Sequence, residues 1–162
     1  MNLMAAALQV RVKSYVFVLL QFSILAVLIF YPFKPNSSLT AAVLAGKIIE
    51  LTAIVGILLA AITIRSSLTI LPQPKQNAAL GTSGLYKYVR HPMYSLVILF
   101  AIGSTVEDLA PAKFFLTAVL VLVLYLKSRF EERLLIEKFS GYAKYAQQVP
   151  RFVPFLIRRN IG

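Results

Sequence analysis

The sequence predicts an all-α integral membrane protein with about four transmembrane helices and a cytoplasmic amphipathic helix at the C-terminus. Its 162 residues fit one membrane domain over 1–162. Hydrophobic residues make up 59% of the chain and the mean hydropathy is +0.76, whereas soluble domains are about 45–50% apolar. Several apolar segments approach the roughly 20 residues that a helix needs to cross a hydrocarbon core. These observations exclude an ordinary soluble domain.

Residues that end or begin helices separate four apolar segments. The segments cover about residues 15–31, 39–64, 92–109 and 112–126. Pro32 and Pro35 end the first segment, and Pro92 suits the first turn of the third because its missing N–H costs nothing there. Within residues 127–162, apolar side chains alternate with charged ones at near-helical spacing. This pattern predicts the amphipathic helix, continuing out of the membrane.

Charge predicts the orientation of the chain. The net charge is +11. In a four-span topology, fourteen Lys and Arg residues share the side of both termini and the 65–91 loop, against three on the other side. Because basic loops stay in the cytoplasm, we expect both termini to be cytoplasmic. The small size of the chain favours a prokaryotic inner-membrane protein. The loops explain the basic charge, so a nucleic-acid partner is not expected.

The scarcity of cysteine and histidine excludes several kinds of site. The chain has no cysteine and one histidine. Disulfides, thiolate chemistry and cysteine-type zinc sites are therefore excluded, and one imidazole does not favour a histidine-rich metal site or a haem. We expect no metal.

Two polar motifs lie at the ends of apolar segments. The first motif, residues 84–94, reads Gly-Leu-Tyr-Lys-Tyr-Val-Arg-His-Pro-Met-Tyr and contains His91. The second motif, residues 129–133, reads Arg-Phe-Glu-Glu-Arg. Glu131 lies 40 residues after His91 (131 − 91), which equals one helical hairpin plus its turn. Both motifs therefore return to one membrane surface, and we predict a shared site.

Each motif also has a purely structural explanation. A single histidine is more often a hydrogen-bonding partner than a catalyst, and Arg90 and the tyrosines could anchor the chain at the interface. Glu131 and Glu132 could form a solvated charged face. Successive helical residues point about 100° apart, so we expect one acid to face the pocket and the other to pair with Arg129 or a lysine.

The second apolar segment carries one acid and several small residues. Glu50 lies three residues after Lys47, a spacing that predicts a structural ion pair. Alanines with Gly46 and Gly56 permit close helix packing. The same small-residue face could also pair two copies of the chain as a homodimer.

The two motifs are followed by a tail with the residues Phe139, Tyr142, Tyr145 and Val149-Pro150-Arg151. Together they closely resemble the isoprenylcysteine carboxyl methyltransferase family, whose wider group includes the phospholipid N-methyltransferases. The resemblance covers about residues 66–156. Arg-His-Pro-x-Tyr alone is moderately specific, because membrane sterol reductases carry a similar element, and the acid pair and tail make the resemblance strong. One departure is Leu96, where many members have a small residue.

The resemblance implies a helical membrane enzyme that binds S-adenosylmethionine between the first motif and the C-terminal helix, facing the cytoplasm. The cofactor-binding residues that it implies are Tyr88, Val89, Arg90, His91, Pro92, Tyr94, Glu131 and Glu132. It further implies that Lys127 and Arg129 approach the polar head of the substrate, with Glu132 and Arg129 as the catalytic residues.

The residue chemistry is compatible with that activity. Aromatic faces attract a sulfonium cation, carboxylates bind an amino group, and Arg or His binds a carboxylate. Methyl transfer from an activated donor needs positioning and desolvation more than a protein nucleophile. The chain lacks a Gly-x-Gly-x-x-Gly loop, which excludes a Rossmann-type methyltransferase.

We therefore expect a methyltransferase that acts on a lipophilic or small acceptor bearing a carboxylate, an amine or a thiol. The first alternative is an NADPH-dependent membrane reductase of a sterol-like or enone lipid. The second is a non-catalytic membrane scaffold. Binding assays with the two nucleotide cofactors separate these three hypotheses.

Overall fold

Helices make up nearly all of the regular structure in the computed structural model, which describes residues 3–35, 40–63 and 80–154. The helices are α1 (Leu3–Phe30), α2 (Thr40–Thr63), α3 (Pro92–Asp108), α4 (Pro111–Lys138) and α5 (Tyr142–Gln148). A short 3₁₀ turn precedes α3, and these described ranges contain no strand. The predicted all-α class is confirmed.

Among the described residues, three helices are long and apolar enough to cross a membrane: Ala7–Phe30, Thr40–Ile62 and Pro111–Lys138. Their outward faces expose large apolar side chains, such as Leu19 (65%), Leu58 (59%) and Leu122 (56%), as expected of surfaces that meet lipid. The 17 residues of α3 extend about 26 Å at 1.5 Å per residue, slightly less than the roughly 30 Å of a bilayer core. The fourth span therefore stays a prediction.

Glycines bring α2 and α3 into backbone contact. A Cβ atom on Gly46 would lie 2.7 Å from the carbonyl oxygen of Gly103, and one on Gly103 would lie 2.9 Å from the backbone nitrogen of Glu50. Farther along α2, a Cβ on Gly56 would lie 2.6 Å from Cδ2 of Leu96, so Gly56 accommodates the residue that departs from the family pattern. In this chain, α3 occupies the small-residue face of α2. Homodimerisation through that face stays a prediction.

A tight turn joins α3 to α4 as the sequence predicts. Leu109 adopts a left-handed conformation with φ of 49°, and Pro111 begins α4. A buried apolar cluster then packs α1, α3 and α4 together: Leu28, Ala101, Leu120 and Leu124. The α4 helix continues without a break to Lys138, so the amphipathic segment predicted from residue 127 is the last part of α4.

Ion pairs join the helices at the end of α3 that is remote from His91. The ammonium of Lys47 lies 3.2 Å from Glu50, as predicted, and 2.7 Å from Glu107 on α3. Lys113 on α4 lies 2.5 Å from Asp108. These pairs give Glu50 a structural role and hold α2, α3 and α4 in register.

Candidate functional site

The loop before α3 presents the first polar motif to α4. A 3₁₀ turn spans Gly84–Lys87, and Gly84 has a φ of 57°, a left-handed conformation that glycine adopts at no steric cost. Pro92 is the first helical residue of α3, and His91 before it has φ −123° and ψ 60°. A residue that precedes proline avoids the helical conformation. The backbone of His91 therefore lies outside the helix, and its imidazole faces α4.

The two acids of the second motif lie on either side of the imidazole of His91. Its Nε2 lies 3.1 Å from Oε1 of Glu132, and its Nδ1 lies 3.7 Å from Oε2 of Glu131. The hydroxyl of Tyr94 donates to Oε2 of Glu131 at 2.8 Å, and its ring stacks on the imidazole with centroids 5.2 Å apart. The structure therefore brings the two motifs together, as the hairpin spacing predicts. It also shows that both acids face His91.

Three cationic or imidazole groups converge on the carboxylate of Glu132. Arg151 donates from Nε to Oε1 at 3.0 Å and from Nη2 to Oε2 at 2.6 Å, a bidentate arrangement that is stronger than a neutral hydrogen bond. Nε of Arg90 lies 3.2 Å from Oε1. The hydrogen bonds to Glu132 raise the pKa of Arg151, against an opposing effect of burial. Glu132 is thus held between His91 and two guanidinium groups.

The tail after α5 folds back over the first motif through its backbone. The amide of Arg90 donates to the carbonyl of Pro150 at 2.8 Å, and the amide of His91 donates to that of Arg151 at 3.0 Å. The hydroxyl of Ser95 donates to the carbonyl of Phe152 at 2.7 Å. These bonds seat residues 150–152 against the start of α3, and they leave the side chain of Arg151 directed at Glu132.

The short helix α5 is anchored by two further polar contacts. The guanidinium of Arg90 donates from Nη1 to the carbonyl of Ala146, and the hydroxyl of Tyr145 donates to the carbonyl of Tyr86. Burial raises the pKa of the Tyr145 phenol to about 12, against the opposing charge of Arg90. A protonated phenol is the form that can donate this bond, so α5 and the first motif form one structural unit.

Two buried polar atoms of the site have no hydrogen-bond partner in the part of the chain that the structure describes. They are the hydroxyl of Tyr142 and Nε of Arg90, which lies near Glu132 without the alignment of a hydrogen bond. Tyr142 is 2% exposed. Burial, and then the nearby charge of Glu132, raises the pKa of its phenol. Buried polar groups are nearly always paired, so a ligand that accepted hydrogen bonds from these two donors would compensate them.

A buried lysine lies beside this cluster. Nζ of Lys127 donates to Oε1 of Gln21 on α1 at 2.7 Å, and it lies 5.0 Å from the ring centroid of Tyr94. Lys127 is 2% exposed. The helix α1 therefore contributes a side chain to the site, although the sequence resemblance does not extend to it.

Three of the predicted site residues lie outside the charged cluster. Tyr88 is 56% exposed, whereas Val89 is buried next to the cluster. Arg129 contacts Tyr125 on the exposed side of α4, with 3.5 Å between Nη1 and the phenol oxygen. The same ring lies 5.2 Å from the guanidinium of Arg151. Among the described residues, neither acid of the second motif forms an ion pair with Arg129 or with a lysine, and both face His91. The expectation that one acid would pair with Arg129 or a lysine was therefore wrong.

Gln21 and the pairing of Arg151 with Glu132 were not identified from the sequence. Gln21 stands as a lone amide in an apolar run, which was the available signal. Arg151 belongs to the tail that contributes to the family resemblance, but its partner lies 19 residues earlier and is decided by tertiary contact. Within residues 3–35, 40–63 and 80–154, no group of three or more acidic, histidine or cysteine side chains could hold a metal ion.

Comparison with known proteins places both motifs in one matched region. The sequence profile of the phospholipid methyltransferase family matches residues 41–141. Protein-S-isoprenylcysteine O-methyltransferase B of Arabidopsis thaliana is 33% identical over 125 residues, which are 75% of this chain and 59% of that protein. The cobalt-zinc-cadmium resistance protein CzcN of Cupriavidus metallidurans is 38% identical over 88 residues, 51% of this chain and 38% of that protein. The chain thus spans less than two thirds of the length of either relative.

Proposed function

Because this chain belongs to the phospholipid methyltransferase family, we propose that it transfers a methyl group from S-adenosylmethionine to a lipophilic or small acceptor. The acceptor atom belongs to a carboxylate, an amine or a thiol. The identity to an isoprenylcysteine O-methyltransferase supports the resemblance that the two polar motifs carry. We further propose four spans, with both termini and the site on the cytoplasmic side.

The observation that carries the proposal is the charged cluster around His91, with its two open hydrogen-bond donors. S-adenosylmethionine presents an ammonium, a carboxylate and a sulfonium. Glu131 and Glu132 match the ammonium, the guanidinium of Arg90 matches the carboxylate, and the ring of Tyr94 matches a cation. The hydroxyl of Tyr142 has no hydrogen-bond partner among the described residues, and Nε of Arg90 contacts Glu132 as an ion pair without an aligned hydrogen bond. The residues present therefore fit the cofactor.

When bound, the cofactor supplies a methyl group already activated by the positive sulfur. The residues of this chain then have to orient and desolvate, since an in-line displacement needs no protein nucleophile. The side chain of His91 is 6% exposed and that of Glu132 is 11% exposed, so the centre of the site is largely shielded from water. Electrostatic interactions are stronger in such surroundings than in water.

The roles of individual residues follow from their positions. Glu132 would hold His91 and Arg151 in place and contact the cofactor, and Glu131 and Tyr94 would line the same side. The backbone at Val89 and Pro92, with the exposed ring of Tyr88, would border the cofactor pocket. Arg129 on the exposed side of α4 and the buried Lys127 would contact the acceptor.

The experiment measures binding of S-adenosylmethionine and of its demethylated product by calorimetry on the detergent-purified chain. The variants are His91→Ala and Glu132→Gln, with Glu137→Gln as the matched control, because Glu137 is an exposed acid on the same helix. We expect binding to weaken at least about tenfold in the first two variants, the effect of losing about 1.4 kcal/mol, and to be unchanged in the control.

Each other outcome selects a different function. A wild-type chain that is folded and monodisperse but binds no S-adenosylmethionine contradicts the proposal. Binding of NADPH in its place would favour the membrane reductase. Binding of neither nucleotide would favour the non-catalytic scaffold.

A further inference from the structure

The ammonium of Lys127 is a buried cation without a nearby counter-ion. Lys127 is 2% exposed, and its polar partner is the neutral amide oxygen of Gln21 at 2.7 Å. No carboxylate of residues 3–35, 40–63 or 80–154 forms an ion pair with it within 4.0 Å. Glu131, one helical turn further, attracts this ammonium from a greater distance, but its carboxylate is bonded to Tyr94.

Burying an ammonium costs several kcal/mol unless an anion and further hydrogen bonds compensate it. One amide oxygen satisfies one of the three N–H donors of a lysine. The ring of Tyr94, 5.0 Å away, adds a cation–π attraction. The compensation is therefore partial, and an anion placed beside Lys127 would complete it.

Gln21 decides how much positive charge this position keeps. It is 7% exposed and lies on α1, outside the residues 41–141 that match the family profile. A glutamate has nearly the same size and would form an ion pair with Lys127 that neutralises it. A glutamine orients the ammonium and leaves its charge uncompensated. The residue type at position 21 thus controls the net charge of this buried position next to Tyr94.

We propose that Gln21 is a specificity-determining residue, which keeps Lys127 as the anion-binding group for an acceptor with an acidic headgroup on an apolar tail. The headgroup is a carboxylate or a phosphate, both of which accept hydrogen bonds from an ammonium. Apolar side chains lie one helical turn away on the same two helices, where Phe17 of α1 and Phe130 of α4 pack with ring centroids 5.9 Å apart, and they would contact the tail. This inference rests on the proposed methyl transfer and names its acceptor class.

The test uses four amphiphiles with the same tetradecyl chain: the carboxylate, the phosphate, the alcohol and the quaternary ammonium. Their binding to the full chain in a neutral detergent is measured by calorimetry, in parallel with binding of S-adenosylmethionine. The variant is Gln21→Glu. Its matched control is Gln9→Glu, which adds the same charge at an exposed position of the same helix.

We expect the wild type and Gln9→Glu to bind at least one anionic amphiphile about tenfold or more tightly than the alcohol. Gln21→Glu should lose that preference and retain its affinity for S-adenosylmethionine. Comparing the carboxylate with the phosphate identifies which headgroup the site takes. Lys127→Gln should lose the same preference, and Gln21→Glu remains informative if that variant does not fold, because it creates an ion pair instead of a void.

Retention of the anion preference in Gln21→Glu would overturn the inference, as would a wild type without such a preference. If S-adenosylmethionine binds in these cases, the proposed function stands and the acceptor class is wrong. If S-adenosylmethionine does not bind but Gln21→Glu abolishes the anion preference, the subsite stands and the proposed methyl transfer fails.

Discussion

Replacing Tyr142 by phenylalanine removes a single oxygen atom from the candidate site and leaves the ring in place. The ring packs edge-on against Tyr145, with centroids 5.8 Å apart, so its packing should be unchanged. The hydroxyl is buried, and no residue in the described ranges accepts its hydrogen bond. A buried hydroxyl without a partner costs about 1–3 kcal/mol. We therefore expect Tyr142→Phe to raise the free energy of unfolding of the ligand-free chain by about 1 kcal/mol or more.

The same substitution should weaken cofactor binding. If the hydroxyl donates to the bound cofactor, its loss removes a hydrogen bond worth about 0.5–1.5 kcal/mol. That loss corresponds to a dissociation constant about two- to thirteen-fold larger. Thermal denaturation of the ligand-free chain in detergent measures the first effect, and calorimetric titration with S-adenosylmethionine measures the second. A more stable protein that binds less tightly is not expected of a residue with a purely structural role.

Tyr145→Phe is the matched control, because it makes the same change on the same helix. The hydroxyl of Tyr145 donates to the carbonyl of Tyr86, so its removal should lower the stability of the chain by about 0.5–1.5 kcal/mol. If Tyr142→Phe also lowers stability, or if it leaves the affinity for the cofactor unchanged, then the hydroxyl of Tyr142 is not an open ligand position and the reasoning is wrong.

Two further predictions concern the helix crossing and the tail. Gly46→Ala should lower the stability of the chain by about 1–3 kcal/mol, as overpacking does, because its Cβ would lie 2.7 Å from α3 backbone atoms. Thermal denaturation checks it, and Gly141→Ala, which has open space around its Cβ, should be nearly neutral; equal effects would contradict the close crossing. Arg151→Ala should cost about 2–3 kcal/mol, since it removes a charge-assisted bidentate pair with Glu132. Limited proteolysis should then cleave the tail faster than in the wild type, and an unchanged rate would show that the backbone bonds alone hold it.

The existence and order of the helices could be predicted from the sequence because they depend on local properties. Apolar length, proline and charge placement located both ends of α2 and α3, and the start of α4, within a few residues. α1 extends from Leu3, far before the expected start near residue 15, because hydropathy marks the part that suits lipid and not the full helix. The turn after α3 was also predictable, since the proline at position 111 starts the next helix.

The meeting of the two polar motifs was predictable as well, but the details of their contact were not. A hairpin of known length returns both motifs to one surface, which sequence spacing alone can establish. The assignment of one acid to the pocket and the other to Arg129 or a lysine failed, because both carboxylates approach the two nitrogens of His91. Helical geometry gives the directions of the two acidic side chains on α4. It does not predict that the imidazole of His91, from another element, lies between them.

The sequence by itself therefore determined that this chain is helical, that it has several long apolar segments, and that its polar motifs lie at the ends of helices. Only the tertiary structure decided which charges pair between different helices and which remain uncompensated. Arg151 pairs with Glu132. Lys127 donates a hydrogen bond to the amide oxygen of Gln21, which lies 106 positions earlier in the chain. The physical reason is that hydropathy and helix signals act over a few residues. The partner of a buried charge depends on the packing of segments that are distant in sequence.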